Sequence, residues 1–261
     1  MSDAVRVERD PPILIITLDR PKANAIDAAT SQALGRVFAD FRDDDDLMVA
    51  VITGGGGKFF SAGWDLKAAA AGEPADADFG PGGFAGLTEL WDLNKPVIAA
   101  INGITVGGGF ELALACDLIV AAEHVEFWFP ETFHGIMADA GGVQRLPKRV
   151  PRHIAMELLL TGRRMGAAEA ARYGLVNEVV PADQLLNRCK ELAHHIAGGA
   201  PLAIMALKEA VRAMENLSVR ESFELLKSGS LPLYQQMFSS ADAQEGPSAF
   251  TEKRSADFKG R

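Results

Sequence analysis

The sequence predicts an α/β fold, with a parallel sheet whose strands are joined by helices and a mainly helical region after it. Short apolar runs rich in β-branched residues alternate with stretches of helical periodicity as far as Pro151. Beyond Pro151 the pattern is helical almost throughout. A chain of 261 residues is also long enough to bury a large core.

The predicted elements follow in chain order. Strands are expected at "ILIITL" (Ile13–Leu18), "MVAVIT" (residues 48–53), "VIAAI" (Val97–Ile101) and "LIVAA" (Leu118–Ala122). Helices are expected over residues 29–42, over residues 84–93, after Gly107, in "IAMELLLTG", after Pro181, after Pro201 and from Ser218. Residues 68–84 are rich in Ala, Gly, Pro and Asp, which predicts a mobile loop.

Composition and charge indicate which partners and which kinds of site are not expected. The chain has 26 Lys and Arg against 35 Asp and Glu, a net charge of −9, which disfavours nucleic acid or an anionic membrane as the main partner. Cys116 and Cys189 lie far apart with no C-x-x-C, so neither a disulfide framework nor a zinc site is expected. We find no targeting pattern and no run of about 18 apolar residues, so a cytoplasmic protein is expected.

The segment "NGITVGGGFELALACD" (residues 102–117) places three glycines before an acid. It matches neither a phosphate-binding loop, since no lysine follows the glycines, nor a dinucleotide fingerprint. At a helix start, the amide of Gly108 would be an unpaired donor at the positive end of the helix dipole, with Glu111 on the same face one turn later. The alternative is that the glycines only permit close packing and Glu111 is solvated.

Two further segments add candidate groups. In "KFFSAGWDL" (residues 58–66) a small-residue turn follows a strand, so the amide of Ala62 is expected to be a second donor. A serine nucleophile is rejected, because G-x-S-x-G requires glycine where Phe59 stands. In "FWFPETFHGI" the carboxyl group of Glu131 has apolar neighbours, which would raise its pKa and favour acid chemistry.

Five segments together resemble one known family. "RPKANAI", "KFFSAGWDL", "NGITVGGGFELALACD", "PETFHGI" and "GGVQRLPK" occur in the order and at the separations of the enoyl-CoA hydratase, or crotonase, superfamily. The resemblance implies a spiral of β-β-α units and a C-terminal helical region. It implies that residues 1–195 form the core with the coenzyme A and catalytic sites, and that residues 196–261 form a helical trimerisation region. Homotrimers, or hexamers that are dimers of trimers, are therefore expected.

The resemblance also implies roles for individual residues. Glu111 and Glu131 would be the catalytic acids, and the amides of Ala62 and Gly108 would form an oxyanion hole. Coenzyme A would be bound by Lys22, Ala23, Ala25, Ala62, Asp65, Leu66 and Lys253. The acyl pocket would be lined by Trp64, Phe84, Trp128 and Asp139. No metal ion or separate cofactor is implied, because coenzyme A is part of the substrate.

The implied activity is that of a lyase, the reversible dehydration of a short-chain 3-hydroxyacyl-CoA to a 2-enoyl-CoA. The loop "DADFGPGGFAGL" is similar to that of family members that convert L-carnitinyl-CoA to crotonobetainyl-CoA. Such a substrate carries a fixed positive charge, which Asp76 and Asp78 of this loop would suit together with aromatic rings. In two departures from the family pattern, Ala138 stands in place of a proline, and Phe127, Trp128 and Phe129 are expected to crowd the approach to Glu131.

Three alternatives to this substrate remain. The first is a general enoyl-CoA hydratase of fatty-acid or amino-acid catabolism. The second is a dienoyl-CoA isomerase, which uses an aspartate at the position of Asp139 but has aspartate where Glu111 stands here. The third is a non-catalytic acyl-CoA-binding subunit, against which the presence of both glutamates argues.

Overall fold

Two β-sheets and a set of surrounding helices make up residues 4–261, the part of the chain that the computed structural model describes. The strands are β1 (Val5–Asp10), β2 (Ile13–Leu18), β3 (Val49–Gly54), β4 (Phe59–Ser61), β5 (Val97–Ile101), β6 (Ile104–Val106), β7 (Leu118–Ala122), β8 (Glu126–Trp128), β9 (Met165–Gly166) and β10 (Glu178–Val180). The α-helices are α1 (Ala28–Asp43), α2 (Leu66–Ala70), α3 (Gly108–Ala115), α4 (Gly142–Arg149), α5 (Arg152–Thr161), α6 (Ala167–Arg172), α7 (Leu185–Ala197), α8 (Pro201–Met214), α9 (Val219–Lys227), α10 (Pro232–Ser239) and α11 (Ala241–Glu252).

The larger sheet has six strands in the order β1-β2-β3-β5-β7-β10. All neighbours pair in parallel except β1 and β2, which form an antiparallel pair. Strands β2, β3, β5 and β7 are buried along most of their length, as expected for a parallel sheet covered on both faces. These are the four strands that the apolar runs predict, and the prediction is confirmed.

The smaller sheet has the order β4-β6-β8-β9, and it fixes where the functional groups lie. Consecutive strands alternate between the sheets, so that β3 and β4, β5 and β6, and β7 and β8 each contribute one strand to either sheet. Neighbouring strands β4, β6 and β8 are parallel. Their carboxyl ends therefore meet at one edge, which is where open α/β sheets bind ligands.

The predicted helix over residues 84–93 is wrong. A short 3₁₀ turn covers only Phe84–Gly86, and Ala85 and Gly86 have φ values of 54° and 68°. Such left-handed backbone stops a helix. The turn lies directly against α1, because a Cβ on Gly86 would be only 2.1 Å from the amide nitrogen of Gly35. Helix α2 also occupies the first residues of the segment that was predicted to be a loop.

Helices α7 to α11 confirm that the last part of the chain is helical. Several of their large apolar side chains face solvent, including Leu207 and Val211 one turn apart on α8, Phe223 on α9 and Phe250 on α11. Phe250 is 86% exposed. An apolar surface of this kind on a single chain is typical of an interface. Within residues 4–261, no helix is both long and apolar enough to cross a membrane.

A buried lysine lies beside the acidic run at residues 43–46. Lys95 is only 6% exposed, and its Nζ donates to the carbonyl oxygens of Phe41 and Asp44, at 3.0 and 2.6 Å, where α1 ends. Burial lowers the pKa of Lys95, and the carboxylates of Asp43, Asp44 and Asp45 act in the opposite direction. The carboxylates thus offset part of the effect of burial on Lys95, which lies at the C-terminal end of α1, where a cation is favourable.

We predict that Lys95→Met lowers the free energy of unfolding by about 3 kcal/mol, because two buried carbonyl groups lose their donor while the side-chain length is kept. Urea denaturation followed by circular dichroism measures this. Lys227→Met, at an exposed position, is the matched control and should change stability by less than about 0.5 kcal/mol. Equal stabilities for the two variants would contradict the role given to Lys95.

Candidate active site

Glu111 lies in the first turn of α3, the helix that follows β6. It is only 4% exposed, and its Oε1 accepts a hydrogen bond of 2.9 Å from the amide of Gly142 at the start of α4. Burial, together with the negative charges of Glu131 and Asp139, raises the pKa of Glu111 to about 8. Near neutral pH this carboxyl group therefore holds a proton for much of the time.

Glu131 begins the 3₁₀ turn Glu131–His134, which follows β8 at the same edge. A Cβ on Gly107 would lie 2.4 Å from its Oε1, so the carboxyl group rests on the backbone at the start of α3. Its Oε2 is buried and has no hydrogen-bond partner among residues 4–261. Burial, with a smaller contribution from Asp139, raises the pKa of Glu131 to about 7, as the apolar neighbours of Glu131 in the sequence suggested.

Asp139 belongs to an exposed turn between the 3₁₀ turn and α4. Its charge acts on both glutamates, so the fold does bring the three acids together. Gln144 Nε2 donates to its backbone oxygen at 2.6 Å, which fixes the turn. Among the described residues, no three His, Cys, Asp or Glu side chains are arranged to hold a metal ion. Asp139 thus modifies the electrostatics of the pair, and its place in an acyl pocket stays a prediction.

The backbone beside the two glutamates differs in one respect from the sequence expectation. The amide of Ala62 donates to the carbonyl oxygen of Ala23 at 2.9 Å, so it is not available as a free donor, and that expectation is corrected. The amide of Trp64, two residues later, has no acceptor within residues 4–261, and neither has that of Gly108. Pairing of this segment with Ile26 turns alternate amides in opposite directions, which is why the donor is Trp64.

The two free amides lie next to each other. A Cβ on Gly108 would be 3.3 Å from the amide nitrogen of Trp64. A Cβ on Gly63, which has a φ of 77°, would be 2.5 Å from the amide nitrogen of Gly108. Glycine at position 63 therefore allows the two turns to approach closely enough for both amides to serve one acceptor. Adjacent unpaired amides at a helix start form a pocket for an oxygen atom that carries negative charge.

The residues predicted to bind coenzyme A lie in two separate parts of the structure. Lys22, Ala23 and Ala25 lie on a loop that runs beside the Ala62–Asp65 turn, which the Ala62–Ala23 hydrogen bond joins to it. Arg20 links this loop to Asp65 through a 2.6 Å ion pair, and Asp65 also caps α2 through the amides of Lys67 and Ala68. Leu66 is 50% exposed beside them. Lys253 lies apart, at the end of α11.

The predicted acyl-pocket aromatics have different surroundings. The ring of Phe84 packs against α3, since a Cβ on Gly108 would be 2.4 Å from its Cε1. The indole of Trp64 extends away from the backbone amide and donates to Glu73 Oε1 at 3.3 Å. Trp128 lies under the guanidinium group of Arg164, 4.4 Å from the ring centroid, and this links it to β9 rather than to the glutamates.

The expectation that bulky residues crowd the approach to Glu131 is wrong for two of the three. Phe127 and Phe129 are fully buried and pack on Phe110 of α3, with ring centroids 5.1 and 4.6 Å away. Side chains in β8 alternate in direction, so Trp128 points the opposite way. Phe127 and Phe129 therefore hold β8 against α3 and fix the position of Glu131 relative to Glu111.

The chain is similar in sequence and in structure to known proteins. The model of the family "Enoyl-CoA hydratase/isomerase" matches residues 8–261. The carnitinyl-CoA dehydratase of Salmonella arizonae is 59% identical over 260 residues, covering 100% of both chains, and that of Salmonella typhi is 59% identical over 261 residues with the same coverage. The crystal structure of enoyl-CoA hydratase from Mycobacterium tuberculosis H37Rv superposes with a TM-score of 0.90 at 42% identity, covering 99% of each chain.

We predict that the buried pair makes stability depend on pH. The folded pKa of Glu111 lies above its ordinary value of 4.5, so its protonated form favours folding, and this contribution is lost as the pH rises from 4.5 to about 8. Glu111→Gln keeps the acceptor for Gly142 and removes the charge. Above pH 8 it should therefore exceed the wild type in unfolding free energy by roughly 2 to 4 kcal/mol.

Thermal unfolding at fixed protein concentration between pH 5 and pH 9 measures the difference. Glu123→Gln, at an exposed position, is the control and should follow the wild type at every pH. If Glu111→Gln shows the same pH dependence as the wild type, the carboxyl group is not desolvated to this extent.

Proposed function

The chain belongs to the enoyl-CoA hydratase/isomerase family, and from this premise we propose that it is a hydro-lyase acting on a short-chain acyl-CoA thioester. The proposed reaction is the reversible dehydration of L-carnitinyl-CoA to crotonobetainyl-CoA and water. It requires no metal ion and no separate cofactor, because coenzyme A belongs to the substrate.

The proposal rests on the arrangement of two acids around two backbone amides. Two carboxyl groups with raised pKa values, the buried Glu111 and the half-buried Glu131, flank two adjacent amides that have no acceptor within residues 4–261, those of Trp64 and Gly108. Removal of a proton next to a thioester places negative charge on the carbonyl oxygen, and the two amides suit that oxygen. Losing one such donor typically costs about 2.7 to 4 kcal/mol of transition-state stabilisation.

The two acids take opposite roles in this mechanism. Ionised Glu131, with a pKa of about 7, accepts the α-proton, and the electron pair of the C–H bond moves to the thioester oxygen as an enolate. When the carbonyl group re-forms, the bond to the 3-hydroxyl breaks. Glu111, with the higher pKa of about 8, donates its proton to the departing oxygen and releases water. Proton exchange from Glu131 back to Glu111 completes the cycle.

The cationic acyl group is supported by relatives rather than by the two acids. Proteins called carnitinyl-CoA dehydratase share 59% of their residues with this chain over its full length. A second candidate is a general enoyl-CoA hydratase, which is favoured by the names of solved structures such as that from Bacillus anthracis, 35% identical with a TM-score of 0.90. Both functions use the same acids and amides, so only the substrate separates them.

A substrate panel tests the proposal. The purified protein is incubated with crotonobetainyl-CoA and crotonyl-CoA in separate reactions, and the gain of one water is identified by mass. We expect kcat/KM to be higher for crotonobetainyl-CoA. A preference for crotonyl-CoA would favour the general hydratase, and the absence of turnover on both would favour a binding subunit.

We predict that Glu111→Gln and Glu131→Gln each lower kcat by at least about 100-fold, because general acid–base groups typically contribute factors of about 10² to 10⁴. Turnover is measured with the preferred thioester from the panel. Asp139→Asn is the comparison variant, because its charge acts on both glutamates without occupying either position. Removing that charge lowers the pKa of both, so its pH–rate profile should move to lower pH. Near-normal turnover by either glutamine variant would remove that glutamate from the mechanism.

We also propose a trimer, or a hexamer built from two trimers, in the cytoplasm. The exposed apolar side chains of α8 to α11 support an assembly, and Lys253 would then reach the coenzyme A site of a neighbour. Light scattering should give three or six times the chain mass of 27.8 kDa at micromolar concentration. Phe250→Asp, which places a charge on the most exposed of these side chains, should shift the distribution to smaller species. A monomeric wild type would contradict the assembly.

A further inference from the structure

The structure places an unexpected acid one side chain away from the two free amides. Glu73 follows α2, and its Oε1 accepts from the indole Nε1 of Trp64 at 3.3 Å. The same carboxylate accepts from the amide of Ala28, at 3.3 and 3.2 Å, at the start of α1. Trp64 presents its backbone amide beside Gly108 and its indole to Glu73, so a single side chain separates the carboxylate from the two free amides.

Glu73 lacks the positive partner that its neighbours have. Asp27 and Asp65, the other half-buried acids near this turn, both form ion pairs with Arg20, at 2.7 and 2.6 Å. Within residues 4–261 no Lys, Arg or His nitrogen lies within 4.0 Å of the Glu73 carboxylate. The acid is held only by neutral donors, although charges that lose exposure to water are usually paired. Its negative charge is therefore available to a bound cation.

Further aromatic side chains lie near the two free amides. Trp64 is half-buried, and Phe79 packs edge-on to Phe84 with ring centroids 5.4 Å apart. Phe84 in turn lies against Gly108. A quaternary ammonium group has no N–H to donate, so it is recognised by aromatic faces and by nearby negative charge. The face of the Trp64 indole and the half-buried carboxylate at its Nε1 edge supply both.

We infer, on the basis of the proposed function, that Glu73 is the residue that selects a trimethylammonium-bearing acyl group over an uncharged one. Trp64 is held in place by Glu73 and presents its aromatic face to the methyl groups. The acids expected from the sequence do not fill this role, because Asp76 and Asp78 are exposed and Asp78 accepts from the amide of Gly80 within its own turn.

The test compares two thioesters of the same shape. One is crotonobetainyl-CoA, and the other is its uncharged isostere, in which a tert-butyl group replaces the trimethylammonium group. Glu73→Gln keeps an oxygen acceptor for Trp64 and Ala28 and removes only the charge. We expect it to lower kcat/KM for the charged thioester about 10-fold, which corresponds to about 1.4 kcal/mol, and to leave that for the isostere within about 2-fold. Asp76→Asn, at an exposed position three residues on, is the control and should change neither value.

Binding of the saturated, unreactive forms of the two thioesters, measured by calorimetry, separates this inference from the proposed function. If the wild type binds the charged form more tightly and Glu73→Gln loses that preference, the role of Glu73 stands even when no water is added to either substrate. If Glu73→Gln keeps the wild-type preference in both assays, or weakens the charged and uncharged thioesters equally, the role is overturned.

Discussion

The site depends on three consecutive positions that cannot carry a side chain. A Cβ on Gly107 would meet Glu131, one on Gly108 would meet Phe84, and one on Gly109 would lie 2.4 Å from the carbonyl oxygen of Ser61. Each glycine therefore admits a different neighbour: an acid, an aromatic ring and the strand β4. Close approach at these three points brings the donors and acids around one small volume, which a helix start with ordinary side chains would hold apart.

The fold brings these groups together through strand direction. Because β4, β6 and β8 are parallel neighbours, the turns that follow them are adjacent although they lie far apart in the sequence. The start of α3 is buried, and burial raises the pKa values of Glu111 and Glu131 beside it. Charge interactions are stronger where water is excluded. Low polarity at the site therefore strengthens the interactions that the two carboxyl groups and the two amide donors can make.

The large sheet could be predicted from sequence because its central strands are continuous runs of Val, Ile, Leu and Ala with few polar residues. Strands of the small sheet are only two or three residues long, too short for any periodicity to appear. Glu111 and Glu131 stand out in the sequence as acids in apolar segments, and their pairing was predicted from the family resemblance. The choice of Trp64 over Ala62 depends on pairing with Ile26, a contact between distant residues that local patterns do not contain. The inward position of Phe127 and Phe129 likewise follows from packing on Phe110 of α3, which local patterns do not contain.

Trp64 combines two functions that can change independently. Its donor is a main-chain N–H, which every residue except proline supplies equally, whereas its indole contacts Glu73. In the proposed mechanism, substitution at position 64 would therefore change substrate preference while the main-chain donor stays in place. Libraries that vary residues 64 and 73 together should therefore retain the proposed chemistry while sampling acyl specificity.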